Sequence, residues 1–594
     1  MAITERFHKR KESLGHAFNK NSLVSLWRDK VKSQIRSMGL KDLHDYYDFN
    51  VLVEENVEKI ISQLLLGQYN VTPPVIYTLE KKLGICRHMI IPSPIDAIVL
   101  QKIVEVISVE LLKNAPSKNA YYSRDRSSRL KLLHENDEPY DFFAQWKKYQ
   151  KDICDFQDEK EFLVVADLSN YYDTIRLREL RNVVSSYVKT DEVFLDLVLD
   201  IVDKLSWKSD YLPSSGIGLP TVNIEGIRLL AHSFLFELDE VVDRISEGHF
   251  VRWMDDIVVG VDSIFEGKKI IKNMAEVLKS RGLYLNVSKT QILHTSELEK
   301  YYLFNENKYL NSIEKGGVEE VEFLNRFNLI KKEEKARNYD KILKRYLTIA
   351  GNKGFTCLLP FVVEMFDSYS VIRPHICRYL KKIGFNQETN DIYFNLLEEI
   401  SHFDDVSLFE LINLATDWDI GQVELGKNFV KRTLAYLNKR SSNIMGFYLY
   451  LCFSAKYEKP QELFKTIHSK TKIWSKDAFL ARQVASVLPR IKPFSEEKCK
   501  QVEQKINNMG LQDAISVLSN FEKMCDSDPV GLNLYLFPKT FNEIYPLCKY
   551  LILYNKLHED SKFMANNKKN IKKYITDSWY KHWIDNYILE ENTV

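Results

Sequence analysis

Paired cysteines are missing from this chain. Its eight cysteines are scattered over 594 residues without a C-x-x-C spacing, which argues against a zinc site or a disulfide framework and for a reducing compartment. Long hydrophobic runs are missing too. No apolar stretch approaches membrane-spanning length, and the first residues, MAITERFHKRKESLG, lack the apolar core of a signal peptide, so a cytoplasmic protein with no membrane partner is expected. An excess of one charge sign is the third absence. With a net charge of +1, any nucleic-acid surface must come from local clustering and not from a globally basic chain. Two clusters exist: nine Lys/Arg against three Asp/Glu over residues 1–40, and KKEEKARNYDKILKR over 331–345. The structural alternative for each is a solvated helix face.

What is present centres on residues 250–261, FVRWMDDIVVGV. These read as two short apolar strands with Asp255 and Asp256 at the bend between them. Two anions side by side in an apolar setting repel each other, and a hard, oxygen-seeking cation would relieve that repulsion. The chain contains its own control in SHFDDVSLFE, where Asp404 and Asp405 also adjoin. There they precede an amphipathic run and read as a helix start, with acids on the positive end of the dipole.

The rest of the chain exceeds one core, so two or more domains are expected. Residues 1–75 read as a mostly helical N-terminal extension. In 77–112 a basic turn with Lys81, Lys82, Gly84 and Arg87 leads to a short strand at 88–91, a Pro-bounded corner and a long amphipathic helix. The turn suits a triphosphate or an ordinary charged hairpin edge. NAYYSRDRSS (119–128) suits stacking and phosphate contact, or a surface loop. FLVVADLSNYYDTI (162–175) places Asp167 at the end of a buried strand, and a central antiparallel sheet would bring it to Asp255. Two-metal catalysis needs such carboxylates converging from separate strands. Residues 214–242 give a Gly-x-Gly-Leu-Pro-Thr loop opening a long helix from about Asn223, and 270–294 give a helix, a turn at Gly282 and a strand carrying Lys289. Residues 331–594 hold only eight Gly and eight Pro, and their helical periodicity suggests a HEAT-type α-solenoid. In the closing SWYKHWIDNYIL, Trp579, Trp583 and Tyr587 share a helical face that reads as core packing.

In this order the motifs resemble those of reverse transcriptases, specifically the bacterial defence-associated and abortive-infection group. Asp167 with Tyr171, Tyr172 and Asp173 resembles the first catalytic motif, GLPT at 218–221 the template-gripping motif, WMDD at 253–256 the aspartate pair, and LYLNVSKT the lysine motif. LGICRHMIIPSPIDAIVLQ looks like the fingers segment. The resemblance implies an α+β right-hand polymerase, with fingers and palm over 76–310, followed by an all-α HEAT-like region over 311–594.

It also implies roles. Asp167, Asp255 and Asp256 are the expected catalytic acids. They would hold two Mg²⁺ ions, or Mn²⁺, with Leu168 counted among both the metal and the substrate contacts. Lys289 would act as the acid toward leaving pyrophosphate, Arg87 and Lys82 would meet the triphosphate, and Gly218 and Pro220 would line the substrate path. Tyr172 falls where the family places the aromatic that excludes a 2′-hydroxyl, which favours dNTPs. Three departures carry expectations of their own: Val222 where the motif has glycine, Glu225 near the template path, and Trp253 as a bulkier ring near the primer end. The first two predict a restricted product. The function expected is an RNA-directed or weakly templated DNA polymerase in antiphage defence, templated by a dedicated non-coding RNA or primed on a protein hydroxyl. A homo-oligomer or an assembly with a second protein is the expected state. The alternatives are an inactive RNA-binding scaffold with a helical interaction domain, and an RNA-dependent RNA polymerase.

Overall fold

The computed structural model describes residues 2–125, 142–399, 404–524, 529–539 and 546–591. The end of the polar stretch at 119–128, from Arg126 on, lies outside them.

The N-terminal residues are helical as the periodicity predicts. In Val53–Leu65 the buried side chains Val53, Val57, Ile60 and Leu64 form one stripe at steps of four and three residues. Strands β1 (Val75–Lys82) and β2 (Ile85–Ile91) then pair antiparallel. Leu83 and Gly84 close this hairpin with φ of +54° and +76°, the left-handed two-residue turn that matches the twist of paired strands. Helix Pro94–Lys113 follows at the Pro-bounded corner. Its cap is Ser93, whose hydroxyl oxygen accepts from the Asp96 N–H, with proline in the first turn.

The central sheet contains β3 (Ala120–Tyr121), β4 (Phe162–Ala166), β5 (Phe250–Trp253), β6 (Asp256–Val261) and β7 (Gln291–His294), in the order β3-β5-β6-β4-β7. All neighbours are antiparallel except β3 and β5. Both faces are covered, which is why β4 and β6 read as unbroken apolar runs. Leu163, Val165, Val251 and Val258 pack with Tyr149, Ile153 and Phe156 of helix Phe142–Glu159. Val164, Ala166, Ile257 and Val259 belong to the main core on the other face. Helix Ile264–Ser280 presses onto that face at Gly267, where an added Cβ would stand 2.9 Å from Ile292 and 3.2 Å from Val164.

From residue 298 to residue 591 every described element is helical. These helices close back on the N-terminal part of the chain through buried polar contacts. The Thr78 hydroxyl and N–H donate to Asp405 at 2.7 and 2.8 Å, and buried Arg373 pairs with Glu80 at 2.6 Å and with Asp404 at 3.0 Å. Arg482 binds Asp42 and Asp48 with four hydrogen bonds of 2.7–2.9 Å. Asp404 caps Asp405–Asp417 as expected, accepting from the Ser407 N–H. Trp579 and Trp583 are partly buried against the core and donate to the carbonyls of Gly421 and Lys456.

Two local expectations are corrected. The helix from Asn223 is two helices, Glu225–Ser233 and Phe236–Ile245. Phe234 and Leu235 form a turn between them, and in the second helix Val242 is buried while Val241 is half-buried. Lys289 is not on a strand. It ends the short 3₁₀ turn Val287–Lys289 before β7. Among the described residues no helix is long and apolar enough to cross a membrane, and all seven described cysteines are free.

Candidate active site

The register of the sheet builds the site. Ala166, the last residue of β4, faces Ile257, and Trp253 faces Asp256 across the two-residue turn Met254-Asp255. Asp167 therefore leaves its strand beside the acid pair, as the antiparallel arrangement requires. The turn is tight, and Met254 sits at φ +55°, a left-handed conformation costing about 1–2 kcal/mol for an L-residue. Arg252, fully buried beneath it, holds that conformation. Its guanidinium donates to both oxygens of buried Asp239 at 2.6 and 2.5 Å and to the Met254 carbonyl at 2.7 Å.

The three carboxylates differ in their partners. Asp167 is buried and accepts from the Lys289 ammonium at 2.8 Å, while its backbone carbonyl accepts from the Asn286 N–H at 2.7 Å. Asp256 takes the Arg337 guanidinium, which also lies 4.0 Å from Asp167. Asp255 makes no ion pair among the described residues. Its burial, and then the negative charges of Asp256 and Asp167, push its carboxyl up to about 6. Burial raises the Asp256 carboxyl as well, with Arg337 opposing the shift. Lys341, four residues beyond Arg337, is pushed down to about 8, by burial first.

Among the described residues no three His, Cys, Asp or Glu side chains gather as a ready ligand cluster. Lys289 and Arg337 instead supply the positive charge at Asp167 and Asp256. The donor chemistry nevertheless fits a divalent ion. All three groups offer hard oxygen, and the repulsion of Asp256 and Asp167 on Asp255, opposed in part by Lys289, is what a divalent ion would relieve. Leu168 is a buried core residue bridged to Leu285, so only its backbone carbonyl is left to serve a metal or a substrate.

The loop and the aromatic segment are joined to the same corner. Gly218 has φ +93°, and its N–H donates to the Ile175 carbonyl, while Leu219 N–H donates to the Tyr172 carbonyl, both at 2.8 Å. Past Pro220, the Thr221 carbonyl accepts from Ile90 N–H at 3.1 Å, which ties the loop to β2. Tyr172 is half-buried and meets Tyr171 edge-on at 5.9 Å. Burial raises its hydroxyl well above the ordinary value, and Arg228, Asp255 and Arg87 are close enough to act on it. Arg87 is exposed on β2 at that side. Lys82 is exposed at the hairpin tip, and no hydrogen bond or ion pair joins it to the carboxylates among the described residues.

The departures from the motif look different in place. Glu225 opens the helix that follows the loop, and its carboxylate is turned inward. It is buried, paired with Lys30 at 3.1 Å and accepting from Asp125 N–H at 2.9 Å. Val222 is likewise a core residue. Trp253 is held in an aromatic cluster, 5.0 Å from Trp146 and 5.8 Å from Tyr149, so its ring is occupied by helix Phe142–Glu159. Arg337, Lys341 and Arg252 were not anticipated as parts of the site. The only sequence signal for the first two is the basic run 331–345, which reads equally as a solvated face.

Residues 94–325 match the model of the family described as reverse transcriptase (RNA-dependent DNA polymerase). The match within this segment makes the protein an RNA-directed DNA polymerase, a nucleotidyltransferase. Among solved structures 44 chains match. One is described as the structure of telomerase from Candida albicans in complex with a TWJ fragment of telomeric RNA, 11% identical over 64% of this chain and 70% of that one, with a TM-score of 0.29. No curated protein matches.

Proposed function

We propose that Asp167, Asp255 and Asp256 are the catalytic acids of this polymerase, which joins dNTPs by attack of a hydroxyl on the α-phosphate. The observation that carries this is the meeting, at one corner of the sheet, of the acid ending β4 and the acid pair at the β5–β6 turn, inside the matched segment. Mg²⁺ or Mn²⁺ held by Asp167, Asp255 and the Leu168 carbonyl would supply charge neutralisation at phosphate oxygens and acidify the attacking hydroxyl. The chain's own groups do the rest. Lys289, about half exposed, gives a proton to departing pyrophosphate. Arg87 takes the triphosphate, with Lys82 an outlying contact. The Tyr172 ring stands against the sugar and excludes a 2′-hydroxyl, and Gly218 and Pro220 let the substrate approach. Asp255→Ala with Asp256→Ala should abolish dNTP incorporation in a protein that still folds, and unchanged incorporation would refute the assignment.

The finer reading is a role in antiphage defence with a dedicated non-coding RNA template or a protein primer, supported by the resemblance of the ordered motifs. Buried Glu225 and Val222 no longer argue for a restricted product. We read 1–75 as an extension, 76–310 as fingers and palm, and 311–594 as a HEAT-like stack offering a surface to a second copy or another protein. Sequencing of DNA recovered with the protein tests the template, and varied genome-wide sequence would count against a dedicated one. Phenol partitioning of labelled product before and after protease tests a protein primer. Phage plating on cells carrying the wild type or the double variant tests the defence role.

A further inference from the structure

Residues 206–217 form a loop that is pinned at its base yet carries its largest apolar side chains on the outside. The Ser206 hydroxyl donates to the Gly218 carbonyl at 3.0 Å, so the ends of the loop meet. Asp203 accepts from the N–H groups of Ser215 and Gly216 at 3.1 and 2.8 Å, and Leu212 N–H donates to the Ser209 carbonyl at 2.8 Å. A loop so fixed has no need of exposed aromatics for its own stability. Trp207 is nevertheless 50% exposed and Tyr211 84%.

Trp207 is also oriented. Its ring lies flat on the imidazole of His88 in β2, with centroids 4.3 Å apart and planes 10° from parallel. His88 is itself exposed, so the pair presents a planar π surface across the seam between the hairpin and the loop. Its surroundings are cationic. Lys81, Lys82, Arg87 and Arg176 are exposed nearby in the chain or across the Arg176–Ile217 bridge, against the exposed acids Asp173 and Asp210. Flat aromatic surface with flanking cations is what a single-stranded nucleic acid requires. Bases stack in a sequence-tolerant way, and phosphates meet lysine and arginine. A large exposed aromatic surface otherwise calls for a partner of some kind.

The loop's continuation supplies the direction. It runs directly into Gly218–Thr221, bonded to Tyr172 on one side and to Ile90 on the other. We infer that Trp207, stacked on His88, together with Tyr211, is a platform for the unpaired template RNA just ahead of the copying site. This rests on the reading of Asp167, Asp255 and Asp256 as that site. The platform aligns unpaired bases before they are copied and does not touch reacting atoms, so these are positioning residues.

The test uses the full chain and fluorescein-labelled RNA template annealed to a DNA primer, with an unpaired template overhang of one or eight nucleotides. The wild type should bind the longer overhang tighter, by roughly tenfold or more for each base stacked. Trp207→Ala with Tyr211→Ala should lose most of that gain, while Trp207→Phe retains it. The slope of affinity against salt should stay unchanged in the double variant, because no phosphate contact is removed. Asp255→Asn, unable to incorporate dNTPs, should keep the full overhang gain, which separates this platform from the chemistry. An equal gain in wild type and double variant overturns the inference, as does no gain in the wild type. A double variant that keeps its gain but changes its oligomeric state makes the surface a protein contact, which also overturns it.

Discussion

Replacing Arg482 by leucine should release the N-terminal residues from the C-terminal helices. Arg482 is buried between Asp42 and Asp48, each bound through both oxygens, and Ser516 also donates to Asp48 at 2.6 Å. The guanidinium outweighs the effect of burial and holds both carboxyls below the usual carboxylate range. Without it two buried anions face each other unpaired, a loss on the order of 3–5 kcal/mol. Expressed as local opening, this is hydrogen exchange faster by roughly 10²-fold to 5 × 10³-fold at the amides of residues 42–52. Asp42→Asn and Asp48→Asn in the same chain should recover much of it, since the stranded charges are then gone. The sign with pH follows. Folded values lie below unfolded ones, so the stabilisation is complete above about pH 4 and is lost as pH falls through the folded values. An Arg482→Leu protein whose exchange accelerates less than tenfold would show that the ion cluster does not hold this junction.

His44 is fully buried, with Nε2 2.9 Å from Asn520 Oδ1, and burial depresses its imidazole. Its folded value lies below the unfolded one of about 6.5, so its contribution is present above that pH and falls below it; melting temperatures between pH 7.5 and 5 should drop more steeply for the wild type than for His44→Gln. Arg337→Gln removes the cation from Asp256 and should tighten Mn²⁺ binding severalfold in calorimetric titration without nucleotide, whereas unchanged affinity would mean that Arg337 does not compete for that carboxylate. Tyr172→Ala should lower discrimination against ribonucleotides at least tenfold, read as the ratio of kcat/KM for dNTP and rNTP. Preserved discrimination would remove Tyr172 from the sugar contact.

Much of the site was legible because it lies on buried strands. A strand covered on both faces is a short run of Val, Ile, Leu and Ala, and a carboxylate ending such a run is conspicuous, as at Ala166-Asp167 and around Asp255. The same reasoning distinguished Asp404 and Asp405, whose flanks belong to a helix start and which prove to be a cap and a ligand for Thr78. What escaped depends on contacts between distant parts of the chain. Arg337 reaches Asp256 across 81 residues and Arg482 reaches Asp42 across 440, and no local period encodes either. The burial of Glu225 escaped because a residue at a helix start looks solvent-facing until Lys30, from the first helices, is folded against it. The break at Phe234 and Leu235 escaped because the apolar spacing continues through it, both residues being buried.

Everything proposed for the site depends on Asp167 and Asp255 jointly holding a divalent ion at the corner where β4 and the β5–β6 turn meet. Anomalous scattering from Mn²⁺ in crystals of the protein with primed RNA template and a non-reactive dNTP analogue measures this directly. The expected result is a peak within bonding distance of both carboxylates, with Arg337 displaced from Asp256. Mn²⁺ bound only elsewhere, with Arg337 still seated on Asp256 and nucleotide in place, would contradict it.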